Sequence, residues 1–261
     1  GYGGDDWIWA GYGDDVLYGD EGRDEIIGEL GNDTIYGGSG NDLIYGDIRV
    51  TVSSMEHPSS GDDVIHGGDG DDSIYSSGGD DIVHGDEGDD YIFGGWGKDV
   101  IVGGTGNDDL WGGGDDDTYL FSRGHGVDYV TEKQVNSDVD RLVFDATVSA
   151  SEFVVMRESS ENENLHLINR ASGDRVVITE YFTSYQGVLW NRIERVEFAD
   201  GTVWALEDLY RLAAQGTVYD DNIIDMAAPG NVIDGGAGND EIRALGTDDT
   251  LLGGTGNDII H

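Results

Sequence analysis

Isolated apolar residues recur along the first half of the chain every nine positions: Ile8, Leu17, Ile26, Ile35 and Ile44, then Ile65, Ile74, Val83, Ile92, Ile101, Leu110 and Tyr119. Each sits at the centre of a short triplet, and runs of glycine and acidic residues separate the triplets. This interval fits neither the 3.6-residue period of an amphipathic helix nor the alternation of a long half-buried strand. A triplet is too short for a helix and just long enough for one strand. Six residues of loop and three of strand therefore make half of an 18-residue coil, and stacked coils would bury one apolar side chain per half between two parallel sheets.

Two residues before each apolar position stands an aspartate: Asp6, Asp15, Asp24, Asp33, Asp42, Asp63, Asp72, Asp81, Asp90, Asp99, Asp108 and Asp117. Aligned on Gly103-Gly104-Thr105-Gly106-Asn107-Asp108-Asp109-Leu110-Trp111, windows begin at residues 1, 10, 19, 28 and 37 and resume at 67, 76, 85, 94, 103 and 112. Glycine dominates the first, second and fourth positions, as at Gly37, Gly38 and Gly40, Gly67, Gly68 and Gly70, Gly94, Gly95 and Gly97, and Gly103, Gly104 and Gly106. The phase breaks after Gly46-Asp47, where Ile48 to Ser59 intrude before Gly61-Asp62-Asp63-Val64-Ile65 restores it. A second array begins near Thr217 and runs through Gly235, Gly236 and Gly238 to His261. Its sixth positions read Asn222, Asn231, Asp240, Asp249 and Asp258.

Coils stacked with parallel strands bring equal positions of neighbouring coils to about 4.8 Å. The sixth-position carboxylates then face one another and repel unless a cation sits between them. Calcium suits such a gap, because it accepts six to eight oxygen ligands in loose geometry, backbone carbonyls included. Magnesium demands a tighter octahedron, and zinc prefers nitrogen or sulfur.

The pattern GGxGxDxUx resembles the calcium-binding nonapeptide of the RTX (repeats-in-toxin) haemolysin-type family. That resemblance implies a parallel β-roll. In it, loop carbonyls and the sixth-position carboxylates of loops one coil apart would hold about 8 to 12 calcium ions. Asn222 and Asn231 depart from the motif by supplying a neutral amide, and the loop at 46–61 departs from it by the intruding residues.

Between the arrays the character of the chain changes. Gly124-His125-Gly126-Val127-Asp128 gives one more loop with the phase shifted by two, which adds Asp128 as a candidate ligand. Alternating runs follow at Asp140–Phe144, Phe153–Arg157, Leu165–Asn169, Arg175–Phe182 and Ile193–Phe198, with a hairpin turn at Asp200-Gly201. A helix is predicted with Leu206, Leu209, Leu212 and Ala213 on one face. DTYLFSRGHGVD at 117–128 and IERVEFADGTVW at 193–204 resemble the domain appended to haemolysin-type calcium repeats. The expected fold is all-β: a roll over 1–130, a small mainly-β capping domain with one helix over 131–216, and a second array over 217–261.

Charge follows the same division. The chain carries 55 acidic and 13 basic residues, a net charge of -42. Residues 121–216 hold 9 of the bases against 16 acids, so the two arms together carry -35. Such acidity excludes nucleic acid and anionic membrane as partners and favours cations. There is no cysteine, hence no disulfide and no thiolate site, and no apolar run of membrane-spanning length.

No HExxH, GxSxG or P-loop appears, and the paired aspartates are accounted for by the repeat, so the chain reads as a non-enzymatic module. The RTX resemblance further implies export to the cell exterior by a type I secretion apparatus as part of a larger protein, an adhesin, a toxin or the tail of a secreted enzyme. The chain ends in mid-array, as a piece of such a protein would. In the odd windows the ninth positions form an outward row, Trp9, Ile27, Tyr45, Tyr75, Phe93 and Trp111, which fits a surface for glycan or protein as well as simple sheet protection. His66 and His84 share the other row but lack a third ligand within it. The intruding segment 48–59 is either a contact loop or a tolerated insertion.

Overall fold

The computed structural model describes residues 2–47, 61–132, 138–157, 164–181, 184–185, 188–189, 193–216, 222–225, 232–244 and 248–261. The intruding segment and Asn231 lie outside them.

Each nonapeptide supplies one strand, and alternate strands join alternate sheets. One sheet takes Trp7–Tyr12, Glu25–Leu30, Leu43–Tyr45, Ser73–Gly78, Tyr91–Trp96, Asp109–Gly114 and Val127–Thr131. The other takes Val16–Glu21, Thr34–Ser39, Val64–Asp69, Ile82–Glu87, Val100–Thr105 and Thr118–Phe121. All of these pair in parallel, with Ile8 opposite Ile26 and Ile26 opposite Ile44. Across the intruding segment Ile35 meets Ile65 and Ile44 meets Ile74, so the interrupted coil keeps its place in both ladders.

Most strands are longer than the predicted triplet, running six residues through the first three positions of the next window. The turn is thereby confined to positions four to six. Position four is glycine in every window of the first array except the last, where Asp115 stands at φ 77°. Gly88 stands at φ 139°, and a Cβ there would overlap the Gly70 carbonyl of the coil below. Close stacking thus selects a residue with no side chain and a left-handed backbone.

The eighth-position side chains fill the space between the sheets. Ile26, Ile44, Ile74, Ile92, Leu110 and Val130 come from one side and Ile35, Ile65, Val83, Ile101 and Tyr119 from the other, all at 0% exposure. Burying each contributes about 1.5–3 kcal/mol. Outside, the predicted ninth-position row is in register from Trp9 to Trp111. On the opposite face Tyr18, Tyr36, His66 and His84 stack at centroid distances of 5.0, 5.3 and 4.5 Å.

Both sheets continue into the segment after the array. Arg175–Ile178 pairs in parallel with Val127–Thr131, then Leu165–Asn169 and Phe153–Arg157 follow antiparallel. Arg141–Phe144 extends the other sheet from Thr118–Phe121, Arg195–Phe198 follows it in parallel, and Val203–Ala205 folds back antiparallel. The buried rows continue as well, through Ile178 on one side and through Leu142 and Val196 on the other. The helix Leu206–Ala213 packs Leu209 into this core.

The second array forms separate small parallel sheets. Asn222–Asp225, Glu241–Ala244 and Ile259–Ile260 make one, and Val232–Asp234 with Thr250–Leu252 the other, around Ala214, Ile223, Ile233 and Ile242. Its register corrects the sequence reading. Ile223 pairs with Ile242, so Asn222 faces Glu241 at the seventh position and not the sixth. The array opens at Gly216, one residue before Thr217: the Gly216 amide bonds the Asp234 carbonyl at 2.7 Å as the Gly235 amide bonds that of Leu252 at 2.8 Å. Burial of the apolar residue fixes the phase and absorbs one extra residue between Ile223 and Ile233.

Candidate metal centre

The sixth-position aspartates form two lines, one along each edge of the roll. Each carboxylate bonds the backbone of the coil before it: Asp24 Oδ1 accepts from the Asp6 amide at 2.7 Å, Asp42 from Asp24 at 2.8 Å, and Asp72 from Asp42 at 2.6 Å. The line continues through Asp90 and Asp108 to Asp128 at 2.8, 3.0 and 3.1 Å. On the other edge Asp15, Asp33, Asp63, Asp81, Asp99 and Asp117 follow the same rule at 2.8 to 3.0 Å.

One oxygen of each carboxylate is thereby used. The other is buried without a partner at Asp24, Asp33, Asp42, Asp63, Asp72, Asp90, Asp99, Asp108 and Asp117, and all nine side chains are at most 2% exposed. An orphaned buried carboxylate oxygen carries a large desolvation penalty unless something positive meets it. Those oxygens point at the first-position glycine of their own window. Beside Gly94, a Cβ would meet Asp99 Oδ2 together with the carbonyl of Gly112 one coil on, at 2.7 Å. Gly37, Gly67 and Gly235 stand at the same spot relative to Asp42, Asp72 and Asp240, and Gly103 relative to Asp108. The second- and fourth-position glycines Gly38, Gly68, Gly95, Gly104 and Gly236, with Gly40, Gly70, Gly97, Gly106 and Gly238, all have positive φ and make the turn that exposes these carbonyls. Hard oxygen donors, half of them backbone, fit calcium and not a nitrogen- or sulfur-seeking ion.

Electrostatics agree with the geometry. Burial pushes Asp42 and Asp81 up to about 6, Asp72 and Asp108 to about 7, Asp63, Asp90 and Asp99 to about 8, and Asp117 to about 9. Neighbouring aspartates add to the rise, while the accepted backbone hydrogen bond opposes it. These carboxylates need either a proton or a cation at neutral pH.

The remaining candidates differ. Asp6 and Asp15 open the two lines and are partly exposed, as are Asp249 and Asp258, whereas Asp240 is buried and donates its amide to Asp258 Oδ1 at 3.1 Å. Asp128 uses both its oxygens, one on Asp108 and the other on His125 Nδ1 at 2.6 Å, because the shifted loop places a histidine three residues before it. His66 and His84 gain the third ligand that their row lacks, since Asp86 Oδ2 lies 3.1 Å from His66 Nδ1 and donor atoms of all three lie within 4.8 Å. Their rings are nearly coplanar in orientation, at 4°, so the nitrogen lone pairs run side by side and do not converge. This is the arrangement of a stacked ladder.

Three groups of acids escape the sequence reading. Fifth-position carboxylates bond the following coil, as Asp71 accepts from the Asp89 amide at 3.0 Å and Asp80 from Lys98 at 2.9 Å, so each Asp-Asp pair grips both neighbours. Asp47, at the brink of the intruding segment, is fully buried and raised to about 7 by burial. Asp140 continues the line from Asp117, accepting its amide at 2.9 Å, in a coil that has no glycine signature. Its position two residues before the buried Leu142 is the signal that could have found it.

The sequence pattern of the RTX calcium-binding nonapeptide repeat matches residues 1–26, 18–48, 57–92, 93–127 and 230–260, more than half of the chain. The chain belongs to this family, and it carries RTX calcium-binding repeats on a parallel β-roll. The haemolysin-type calcium binding protein related domain matches residues 164–208, within the segment between the arrays. No curated protein matches the chain. Among the 12 solved chains that do, the extracellular lipase LipA from Serratia marcescens shows 19% identity over 74% of this chain, with a TM-score of 0.36. The chain spans 39% of that lipase.

Proposed function

We propose that calcium is the folding trigger of this module: the chain is unfolded where calcium is scarce, in the cytosol, and folds outside the cell once ions occupy the two aspartate lines. The observation that carries this reading is the row of buried, half-satisfied carboxylates, repeated at every coil. Without metal the arms hold most of the net charge of -42 and each window buries one apolar side chain, too little to offset chain entropy. With metal, binding free energy becomes folding free energy. The ligands are Asp24 to Asp117 along both edges and, in the second array, Asp240 with Asp249 and Asp258. An unfolded apo state suits export through a type I channel, and extracellular modules of this kind bind calcium at about 10⁻⁴ to 10⁻³ M, a range that leaves them empty inside the cell.

Residues 1–130 act as the roll, 131–216 as the cap and 217–261 as a second roll in this reading. The module serves a larger exported protein and does no chemistry of its own. Small-angle scattering tests it: the radius of gyration falls from about 55 Å in chelator towards about 20 Å in millimolar calcium. A compact chain in chelator at neutral pH would sink the proposal.

A second reading, a recognition surface for glycan or protein, draws support from Trp7, Trp9, Tyr12 and Tyr18, which remain 54–83% exposed on the first coils. Glycan-array binding by the calcium-loaded chain, lost in Trp9→Ala, would establish it. Silence of the wild type on the array leaves the folding role alone.

A further inference from the structure

Glu132 belongs to no repeat, yet the register places it in one. Trp111 pairs with Thr131, so Glu132 stands one coil beyond Gly112, at the first position where the preceding coils of that edge have glycine, serine or alanine. In the coil before, the space over Gly94 is shared by Asp99 Oδ2 and the Gly112 carbonyl. Over Gly112 it is shared by Asp117 Oδ2, Glu132 Oε1 and, at 2.7 Å from the same point, the Tyr119 hydroxyl. A neutral carbonyl has been exchanged for a carboxylate.

Asp140 completes the group. One carboxylate oxygen from each of Asp117, Glu132 and Asp140 lies within 4.8 Å of the other two, and the three side chains are 0%, 1% and 1% exposed. Two ligands on opposite sides of a calcium ion, each at about 2.4 Å, stand that far apart. The second Asp117 oxygen is buried with no hydrogen-bond partner. Tyr119 hydrogen-bonds Glu132, the Gly113 amide approaches its other oxygen at 3.4 Å, and the Asp117 amide fixes Asp140 at 2.9 Å. Asp117 thus keeps its inward oxygen free, while the inward oxygen of Glu132 accepts from Tyr119 and retains a second lone pair to offer an ion.

We propose that Asp117, Glu132 and Asp140 form a further calcium site of three carboxylates, enclosed at the seam between the last repeat and the segment that follows it. This rests on the calcium-roll reading above. Affinity rises with the charge of the ligand set, so this site fills first and its ion fastens the segment after the array to the roll. Glu132 lies just after the strand Val127–Thr131 in one sheet, and Asp140 opens the strand Arg141–Phe144 in the other. A single ion there ties both sheets at the point where the repeats end.

The test is a calcium count by native mass spectrometry on the full chain, with a chelator competition that reads the tightest binding step. Glu132→Gln keeps the shape and can still accept the Tyr119 hydrogen bond, and it mimics a protonated glutamate. It is expected to bind one ion fewer and to weaken the tightest step at least tenfold. Asp140→Asn should do the same, whereas Asp90→Asn in the middle of the array should leave that step intact. Folding of Glu132→Gln only at raised calcium would equally show that the charge is needed. An unchanged count and an unchanged tightest step in Glu132→Gln overturn the site and make Glu132 a neutral hydrogen-bonding group. A wild-type chain that binds no calcium at all would overturn the roll reading itself, a separate outcome.

Discussion

Protons should stand in for calcium. In the metal-free roll, burial holds Asp63, Asp90 and Asp99 near 8 and Asp117 near 9, while in the unfolded chain each returns to about 3.9. A carboxyl whose pKa is raised by folding stabilises the fold fully below the unfolded value and loses that contribution as pH rises through the folded one. At pH 7.5, folding without metal therefore takes up about three protons on these four groups, and stability changes by about 4 kcal/mol per pH unit. Between pH 8 and pH 6 the swing is about 10 kcal/mol, as large as the whole stability of an ordinary domain. Protein stripped of metal on a chelating resin and followed by far-ultraviolet circular dichroism should be coil at pH 8. It should gain β signal as pH falls towards 5.5, still above its pI of about 4.1. Calcium at pH 8 should restore the same signal. A metal-free chain that stays coil at pH 5.5, or one already folded at pH 8, would refute the reasoning.

Packing and backbone changes give further checks in the calcium-loaded chain. Ile74→Ala empties a fully buried slot between Ile44 and Ile92 and should cost about 2–5 kcal/mol in denaturant titrations; a loss under about 1 kcal/mol would contradict the tight core. Gly88→Ala forces a side chain onto the Gly70 carbonyl and should abolish cooperative calcium-induced folding, whereas Gly124→Ala, with nothing in reach and φ 90°, should cost only about 1–2 kcal/mol. Ser77 occupies at φ 86° the second-position slot that Gly38, Gly68, Gly95 and Gly104 fill in other windows, so Ser77→Gly should raise stability by up to about 1 kcal/mol and leave calcium binding unchanged.

Much of the roll was legible because one nine-residue rule fixes turn, strand, core and carboxylate together. The eighth-position row from Ile8 to Tyr119 and both ninth-position rows follow directly from it, and the helix at Leu206 follows from the separate helical spacing of Leu206, Leu209 and Leu212. What escaped depends on register and not on motif. Asn222 looks like a sixth-position ligand because the windows count back from Gly235 in steps of nine, but burial of Ile223 opposite Ile242 outweighs the spacing. Asp128 carries the motif and is nevertheless engaged by His125, a partner visible in the sequence three residues away but with no sign of its orientation. Asp140 and Glu132 lie in coils that have lost the glycines, so only the pairing of Leu142 with Tyr119 and of Thr131 with Trp111 reveals the positions they hold. Strand length was underestimated because first- and second-position glycines read as loop, while their backbone amides and carbonyls still bond the neighbouring coil.

The most direct test couples ion count to folding. Calcium is added stepwise to the metal-free chain at pH 7.5, with bound calcium measured by equilibrium dialysis and β structure by circular dichroism on the same samples. The expected result is a single cooperative transition in which about 8–12 ions bind as the β signal appears. Full β signal before any calcium is bound, or binding of several ions with no gain of structure, would contradict the claim that the ions build the roll.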